Sequence, residues 1–219
     1  MEVVVQKGFK QTEVGLIPED WNIEPIGDLA SISTGGSDTQ DRIEEGIYPF
    51  YVRSQKVERI NRYSFDGEAI LTSGDGVGVG KIFHYVKGKF DYHQRVYNIH
   101  NYRKNVDGHY LFFQFSINFH DRVMAMTAKS SVDSVRREMI ADMNIPLPPT
   151  LREQKAIAAA LSDVDALINK LDKLITKKKA IKQALDFVTK NIENKVKQNP
   201  RYQENEKLKL EKELEIQEK

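Results

Sequence analysis

The second half of the chain carries an aliphatic stripe with nearly fixed spacing. After Pro146-Leu147-Pro148-Pro149, Ile157, Leu161, Val164, Ile168, Leu171 and Ile175 follow one another four and three residues apart. The pattern slips at Lys177-Lys178-Lys179 and resumes as Ile181, Leu185, Val188, Ile192 and Val196. No Gly or Pro interrupts it before Pro200, so one helix from about Arg152 to Lys197 is expected, roughly 70 Å long at ~1.5 Å per residue. Thr150 and Glu153 have the spacing of a capping box, and the prolines before them end any upstream element. Two apolar positions in seven make a coiled-coil seam, narrower than the face of a globular helix, and the slip at the lysines is a local change of register. Such a stripe needs a cover. Either a second copy supplies it, most simply as an antiparallel two-fold pair, or the seam folds back onto the chain's own head.

Upstream of the prolines the chain reads differently. Lys81-Ile82-Phe83-His84-Tyr85-Val86 alternates polar and apolar residues up to an expected turn at Lys87-Gly88-Lys89. Tyr48-Pro49-Phe50-Tyr51-Val52, Asp66 to Leu71, Phe90-Asp91-Tyr92 and Arg95 to Ile99 read as further strands in antiparallel hairpins. Tyr110 to Phe119 places Leu111, Phe112, Phe115 and Phe119 on one side of a helix. The expected fold class is α+β: a globular domain over 1–149, a long helix over 150–197, and a charged tail over 198–219 that either prolongs a helix or stays disordered.

Charge is informative by segment. The net charge is +1, yet Arg53 to Arg137 carries 14 basic and 8 acidic side chains. Lys170 to Lys197 carries nine Lys against Asp172, Asp186 and Glu193. Local basic surfaces of this size can neutralise phosphates, although they are also what an ordinary solvated face looks like. Cysteine is absent, which excludes disulfides and thiolate zinc sites and suits a reducing compartment. The start, Met1-Glu2-Val3-Val4-Val5-Gln6-Lys7, lacks the signal-peptide pattern, and no apolar run approaches the ~20 residues of a membrane span. A cytoplasmic protein is expected.

Three clusters in the head combine Arg or Lys with Ser or Gln: Arg53-Ser54-Gln55-Lys56, with Arg59 and Arg62 beyond it; His93-Gln94-Arg95; and Lys129-Ser130-Ser131 with Arg136 and Arg137. Arg and Gln can bond bidentately to guanine and adenine edges, while Lys and Ser suit phosphates. Charged loops without a ligand share this composition. Ser73-Gly74-Asp75-Gly76-Val77-Gly78-Val79-Gly80-Lys81 alternates glycines, but a dinucleotide site needs a strand before the motif and a helix after it. Here a strand-like segment follows. The glycines either bring backbone amides close to a phosphate or base edge, or simply build a tight bulged turn.

A search for catalytic chemistry finds little. The histidines His84, His93, His100, His109 and His120 have no metal-binding spacing, and no carboxylate–lysine arrangement stands out as a nuclease centre. Asn199-Pro200-Arg201-Tyr202 is superficially similar to the Asn-Pro-Pro-Tyr of amino-methyltransferases, but it lacks the second proline and any cofactor-binding sheet. No cofactor, no metal and no catalytic residue is expected.

Two stretches carry a family resemblance. Thr12-Glu13-Val14-Gly15-Leu16-Ile17-Pro18-Glu19-Asp20-Trp21, followed by Gly27-Asp28-Leu29 and Ser33-Thr34-Gly35-Gly36, resembles the opening of a target recognition domain from type I restriction-modification specificity subunits. Ile145-Pro146-Leu147-Pro148-Pro149-Thr150-Leu151-Arg152-Glu153-Gln154-Lys155-Ala156-Ile157-Ala158-Ala159-Ala160-Leu161, then Asp165-Ala166-Leu167-Ile168, resembles that family's entry into its spacer helix. The resemblance implies a DNA-binding subunit without catalytic activity. Two such domains sit on an antiparallel helix pair, each reads half of a bipartite site, and separate methyltransferase and motor-nuclease subunits supply DNA methylation and restriction. This chain holds one domain and one helix where the usual subunit holds two of each. It resembles a half subunit, either natural or truncated, and restored two-fold symmetry then implies a homodimer and a palindromic split site.

The expected DNA contacts are Arg53, Ser54, Gln55, Lys56, Ser73, Gly74, Asp75, Lys81, His93, Gln94, Arg95, Lys129, Ser130 and Arg136. The expected dimer seam runs through Ile157, Leu161, Val164, Ile168, Leu171, Ile175, Ile181, Leu185, Val188 and Ile192. The rival reading is a non-catalytic coiled-coil adaptor whose globular domain binds protein.

Overall fold

The computed structural model describes residues 7–127 and 134–217, with side chains as far as residue 209. The chain divides into two compact units, Met1–Ser162 and Asp163–Lys219.

The first unit is α+β. Strands β1 (Phe9–Thr12) and β2 (Gly15–Pro18) form a hairpin, and β3 (Asn22–Pro25) leads into the single turn α1 (Ile26–Leu29). Six strands follow: β4 (Ser31–Thr34), β5 (Tyr48–Tyr51), β6 (Glu58–Ile60), β7 (Phe65–Ser73), β8 (Phe83–Tyr92) and β9 (Val96–His100). They form one sheet in the order β4-β9-β7-β8-β5-β6, antiparallel except where β5 runs parallel to β8. Helices α2 (Gly108–Thr127) and α3 (Arg137–Ala141) precede β10 (Asn144–Leu147), which returns to pair with β3. The two stretches that carry the family resemblance are therefore neighbours in space.

One face of the sheet supplies Ile70 and Ile99 to the main core, which α2 fills with Leu111, Phe115 and Phe119 at i, i+4, i+8 and with Tyr110 and Phe113 beside them. Phe112, expected on the same face, is half-buried at its edge. The other face supplies Ala69, Leu71, Phe90, Tyr92 and Val96 to a smaller core. The sheet coils until β4 meets β8, which are not ladder neighbours: Ser33 Oγ lies 3.1 Å from the Tyr92 hydroxyl.

The expected turn at Lys87-Gly88-Lys89 does not form. Strand β8 runs straight through it, with Gly88 directly opposite Gly67 of β7. The local signal has a physical cause, since Gly88 has φ +100°, a conformation that glycine adopts at no steric cost. It does not reverse the strand, because pairing continues on both sides from Phe65↔Phe90 to Thr72↔Phe83.

The long helix α4 spans Leu151–Lys197 without interruption. Thr150 Oγ1 accepts from the Glu153 amide at 3.2 Å, but the Glu153 carboxylate accepts from Trp21 Nε1 at 3.1 Å in place of reaching back to the cap. Gln154 is fully buried, with 0% exposure. Its Oε1 accepts from the Asp107 amide at 2.8 Å, and its Nε2 donates to the carbonyls of Asn105 and Pro148, each at 3.0 Å. Ala158 is buried, and Ile157 and Leu161 are half-buried, against the main core. The first unit thus extends about three turns into α4.

In the second unit the stripe continues in water, and Phe187 is the most exposed large apolar residue among those described there, at 67%. Helix α4 ends before Pro200. A separate helix α5 (Pro200–Gln217) begins there, with Pro200 at its first position and Asn199 Oδ1 accepting from the Arg201 amide at 3.1 Å. Among the described residues no helix is long and apolar enough to cross a membrane.

Candidate nucleic-acid interface

Strand pairing gathers the basic clusters. Tyr51 and Tyr92 are matched in the parallel β5–β8 pair, so the chain leaves both strands in the same direction, toward Arg53 and His93. Ser73 is matched with Val96, so the loop after β7 starts beside the turn between β8 and β9. Asp75 lies where these segments meet. Its Oδ1 accepts from Arg53 Nη1 at 2.8 Å, and its Oδ2 lies 3.8 Å from Arg95 Nε. One carboxylate thus orients two arginines from two other loops, each with a largely exposed side chain.

Gly74 makes this approach possible. Its amide donates to the Arg95 carbonyl at 2.7 Å, and its carbonyl accepts from the Val135 amide at 2.7 Å. A Cβ at Gly74 would stand 2.7 Å from the Arg95 carbonyl oxygen and 3.1 Å from the Tyr97 ring, closer than packed atoms allow. Asp75 also bridges to Ser134, which brings the residues just before Arg136 to the same place. A cleft of about 270 Å³ opens between Thr34, Gly74, Gln94, Arg95, Ser134 and Val135.

The other expected contacts fall into two groups. Gln55, Lys56, Lys81, Gln94 and Arg136 are exposed, although Lys56 Nζ lies 3.1 Å from Glu58. Ser54 is half-buried and donates to the Lys56 carbonyl at 2.9 Å, closing its own loop. Ser73 and His93 are buried, at 1% and 3% exposure, and act as framework. Ser73 Oγ donates to the Asp75 carbonyl at 2.9 Å. His93 Nδ1 accepts from the Arg95 amide at 2.9 Å, which leaves the ring proton on Nε2, 3.4 Å from Asp38. Lys129 and Ser130 lie outside the described residues.

A second polar network stands behind the loops, one that sequence reasoning missed. Asp91 is 1% exposed and accepts from Ser37 Oγ at 2.7 Å, Ser64 Oγ at 2.6 Å and the Tyr92 amide at 2.8 Å. Arg62, grouped by sequence with the surface cluster, remains exposed but lies 3.4 Å from Asp91 and 2.9 Å from Asp41. The Asp41 carboxyl is held below the usual carboxylate range, first by its bond from the Asp38 amide and further by Arg62. Such a buried, satisfied charge fixes the loop of residues 37–41 against the β8–β9 turn. Nothing in local sequence marks Asp91, because its partners come from distant elements.

Among the described residues no group of three or more His, Cys, Asp and Glu could hold a metal ion. What the site offers is donors and positive charge on buttressed loops, the equipment for reading base edges and phosphates.

The architecture is that of solved specificity subunits. The chain superposes on the type I restriction-modification S subunit of M. genitalium with a TM-score of 0.57 at 20% identity, over 71% of this chain and 41% of that one. On the HsdS subunit of Thermoanaerobacter tengcongensis the TM-score is 0.56 at 14% identity, over 76% and 42%. Residues 18–183 match the family model of the type I restriction modification DNA specificity domain, and the chain belongs to that family. It is 29% identical over 154 residues to the EcoDI specificity subunit of Escherichia coli, covering 70% of this chain and 33% of that protein. It is 31% identical over 186 residues to the MjaVIII specificity subunit of Methanocaldococcus jannaschii, covering 80% and 43%. The chain spans from a third to under half the length of these relatives.

Proposed function

We propose that the chain is a sequence-specific DNA recognition component of a type I restriction-modification system, without a catalytic centre of its own. The observation that carries this reading is the meeting of Arg53, Asp75 and Arg95 from three loops on one carboxylate, in a member of a DNA specificity family. Arg53, Gln55, Arg95 and Arg136 are the candidate base contacts, and Lys56 and Lys81 the candidate phosphate contacts. Two copies pair through the seam from Val164 to Ile192 and read a split, palindromic site. The methyltransferase subunits, and where present the motor-nuclease subunits, dock on this dimer and perform the chemistry.

The test is binding of the full chain to duplexes drawn from a randomised library, followed by affinity measurements across salt concentrations. A sequence motif should emerge, and affinity should fall steeply with salt as released counterions are counted. Arg53→Ala, Gln55→Ala and Lys81→Ala should each weaken binding to the enriched duplex, Arg53→Ala by about 1–3 kcal/mol if it pairs with a guanine, while the thermal midpoint stays put. A motif bound with equal strength after all three changes would reject these contacts. No motif and a flat salt dependence would favour a protein-binding adaptor.

A further inference from the structure

Among the described residues, the most exposed large apolar side chain stands beside the candidate interface. Val77 is 97% exposed, against 67% for Phe187, the next most exposed large apolar residue among those described. It sits two residues from Asp75, at the centre of a single 3-10 turn, Gly76–Gly78.

That turn is anchored on both sides. The Val79 amide donates to the Gly76 carbonyl at 3.1 Å, and the amides of Lys81 and Ile82 both donate to the Gly78 carbonyl, at 3.0 and 3.1 Å. Gly76 has φ +72° and Gly80 φ +65°, values that glycine alone adopts readily. Gly78 is buried, where a Cβ would collide with the Ile82 side chain and approach the Arg53 carbonyl at 3.3 Å. Behind the turn, Asp75 is tied to Arg53 and Arg95. The glycines therefore serve to press the loop's backbone into the domain while one valine is held out in front of it.

We propose that Val77 reads the 5-methyl group of a thymine in the major groove. The inference rests on the DNA-reading function proposed above and adds a base and a residue to it. Arginine at a guanine edge and an apolar side chain at a thymine methyl are two of the contacts that distinguish base pairs from the major-groove side. Here both kinds of side chain stand on adjoining loops. A β-branched residue has few rotamers to lose on contact, and an isopropyl group alone in water gains by covering a methyl. Val77 is also too small to act well as a wedge between base steps, a role taken by Phe, Leu, Ile, Met or Pro in minor-groove binders.

The experiment uses the full chain and the duplex enriched from the randomised library. Each thymine is replaced in turn by uracil, which removes the methyl and nothing else. For the unaltered protein, one replacement should weaken binding roughly three- to five-fold, the worth of one buried methyl. Val77→Ala should bind the thymine duplex more weakly by a similar factor and should no longer sense that uracil. Val77→Thr keeps the shape and one methyl and should fall between. The proposal is overturned if no uracil matters to the unaltered protein, if Val77→Ala still senses the same uracil, or if Val77→Ala weakens all duplexes alike. Failure of the unaltered chain to enrich any motif would instead reject the DNA-reading function, and this inference with it.

Discussion

The two units treat apolar residues in opposite ways. In Met1–Ser162 large aliphatic and aromatic side chains close three buried clusters, two of them on opposite faces of one sheet, and even the deeply buried Asp91 carboxyl is fully bonded. In Asp163–Lys219 the stripe through Val164, Ile168, Leu171, Ile175, Ile181, Leu185, Val188 and Ile192 faces solvent throughout. Both carry the residues of a core, but only the first has assembled one within a single chain. A domain that closes its own core can act as a rigid platform for loops; an exposed stripe of two positions in seven is what the proposed pairing with a second copy would cover.

The largest expected effect tests that contrast directly. The chain should run as a dimer in light scattering, and Leu171→Glu combined with Ile175→Glu should return it to the monomer mass. Placing charge at two seam positions in both copies costs about 5 kcal/mol or more, over a thousand-fold in dissociation constant. The thermal transition of the first unit should persist, because neither residue belongs to its cores. An unaltered chain that is strictly monomeric at high concentration would remove the seam's proposed role.

The boundary between the units offers a sharper test. Gln154 lies on α4 but belongs to the first unit, and its amide satisfies three backbone groups from Asn105, Asp107 and Pro148. Gln154→Ala strands these buried groups and should destabilise the first unit by about 3 kcal/mol. Gln154→Glu should be no better, since a carboxylate accepts only and would face the carbonyls of Asn105 and Pro148 without a proton. Calorimetry that finds either variant within about 0.5 kcal/mol of the unaltered protein would mean that α4 is not locked by this residue.

What could be read in the sequence follows the same division. The long helix, its start after the prolines and its stripe depend on neighbours three and four residues away, and these are visible in one dimension. The aromatic helix α2 was legible for the same reason. The site was only half legible. Composition singled out Arg53, Asp75 and Arg95 as candidates, yet their meeting depends on the parallel β5–β8 pair and the Ser73↔Val96 match, which no local pattern encodes. Glu153 has the spacing of a capping box but bonds to Trp21, 132 residues away. Gly88 carries a true turn signal in its φ, overruled by the ladder on either side. Ser73 and His93 have the right chemistry for contact but are spent inside the fold.

The smallest expected effect concerns a histidine beside the Arg53–Lys56 loop. His84 Nε2 donates to the Ser54 carbonyl at 3.3 Å, and its ring lies 5.0 Å from that of Tyr51. Burial pushes its pKa below the ordinary 6.5, and the bond to Ser54 opposes this only in part. The unfolded chain therefore takes up a proton at a pH where the folded chain does not. The folded state keeps its full stability above about pH 6.5 and loses some as the pH falls through that value. Between pH 7.5 and 5.5 the unaltered protein's Tm should drop further than that of His84→Gln, which can keep the donor to Ser54 without titrating. The difference should be about 1–3 °C. Because every other group titrates alike in both proteins, two parallel curves would show that His84 is not the group responsible. A larger drop in the unaltered chain would tie the Arg53–Lys56 loop to a half-buried neutral imidazole.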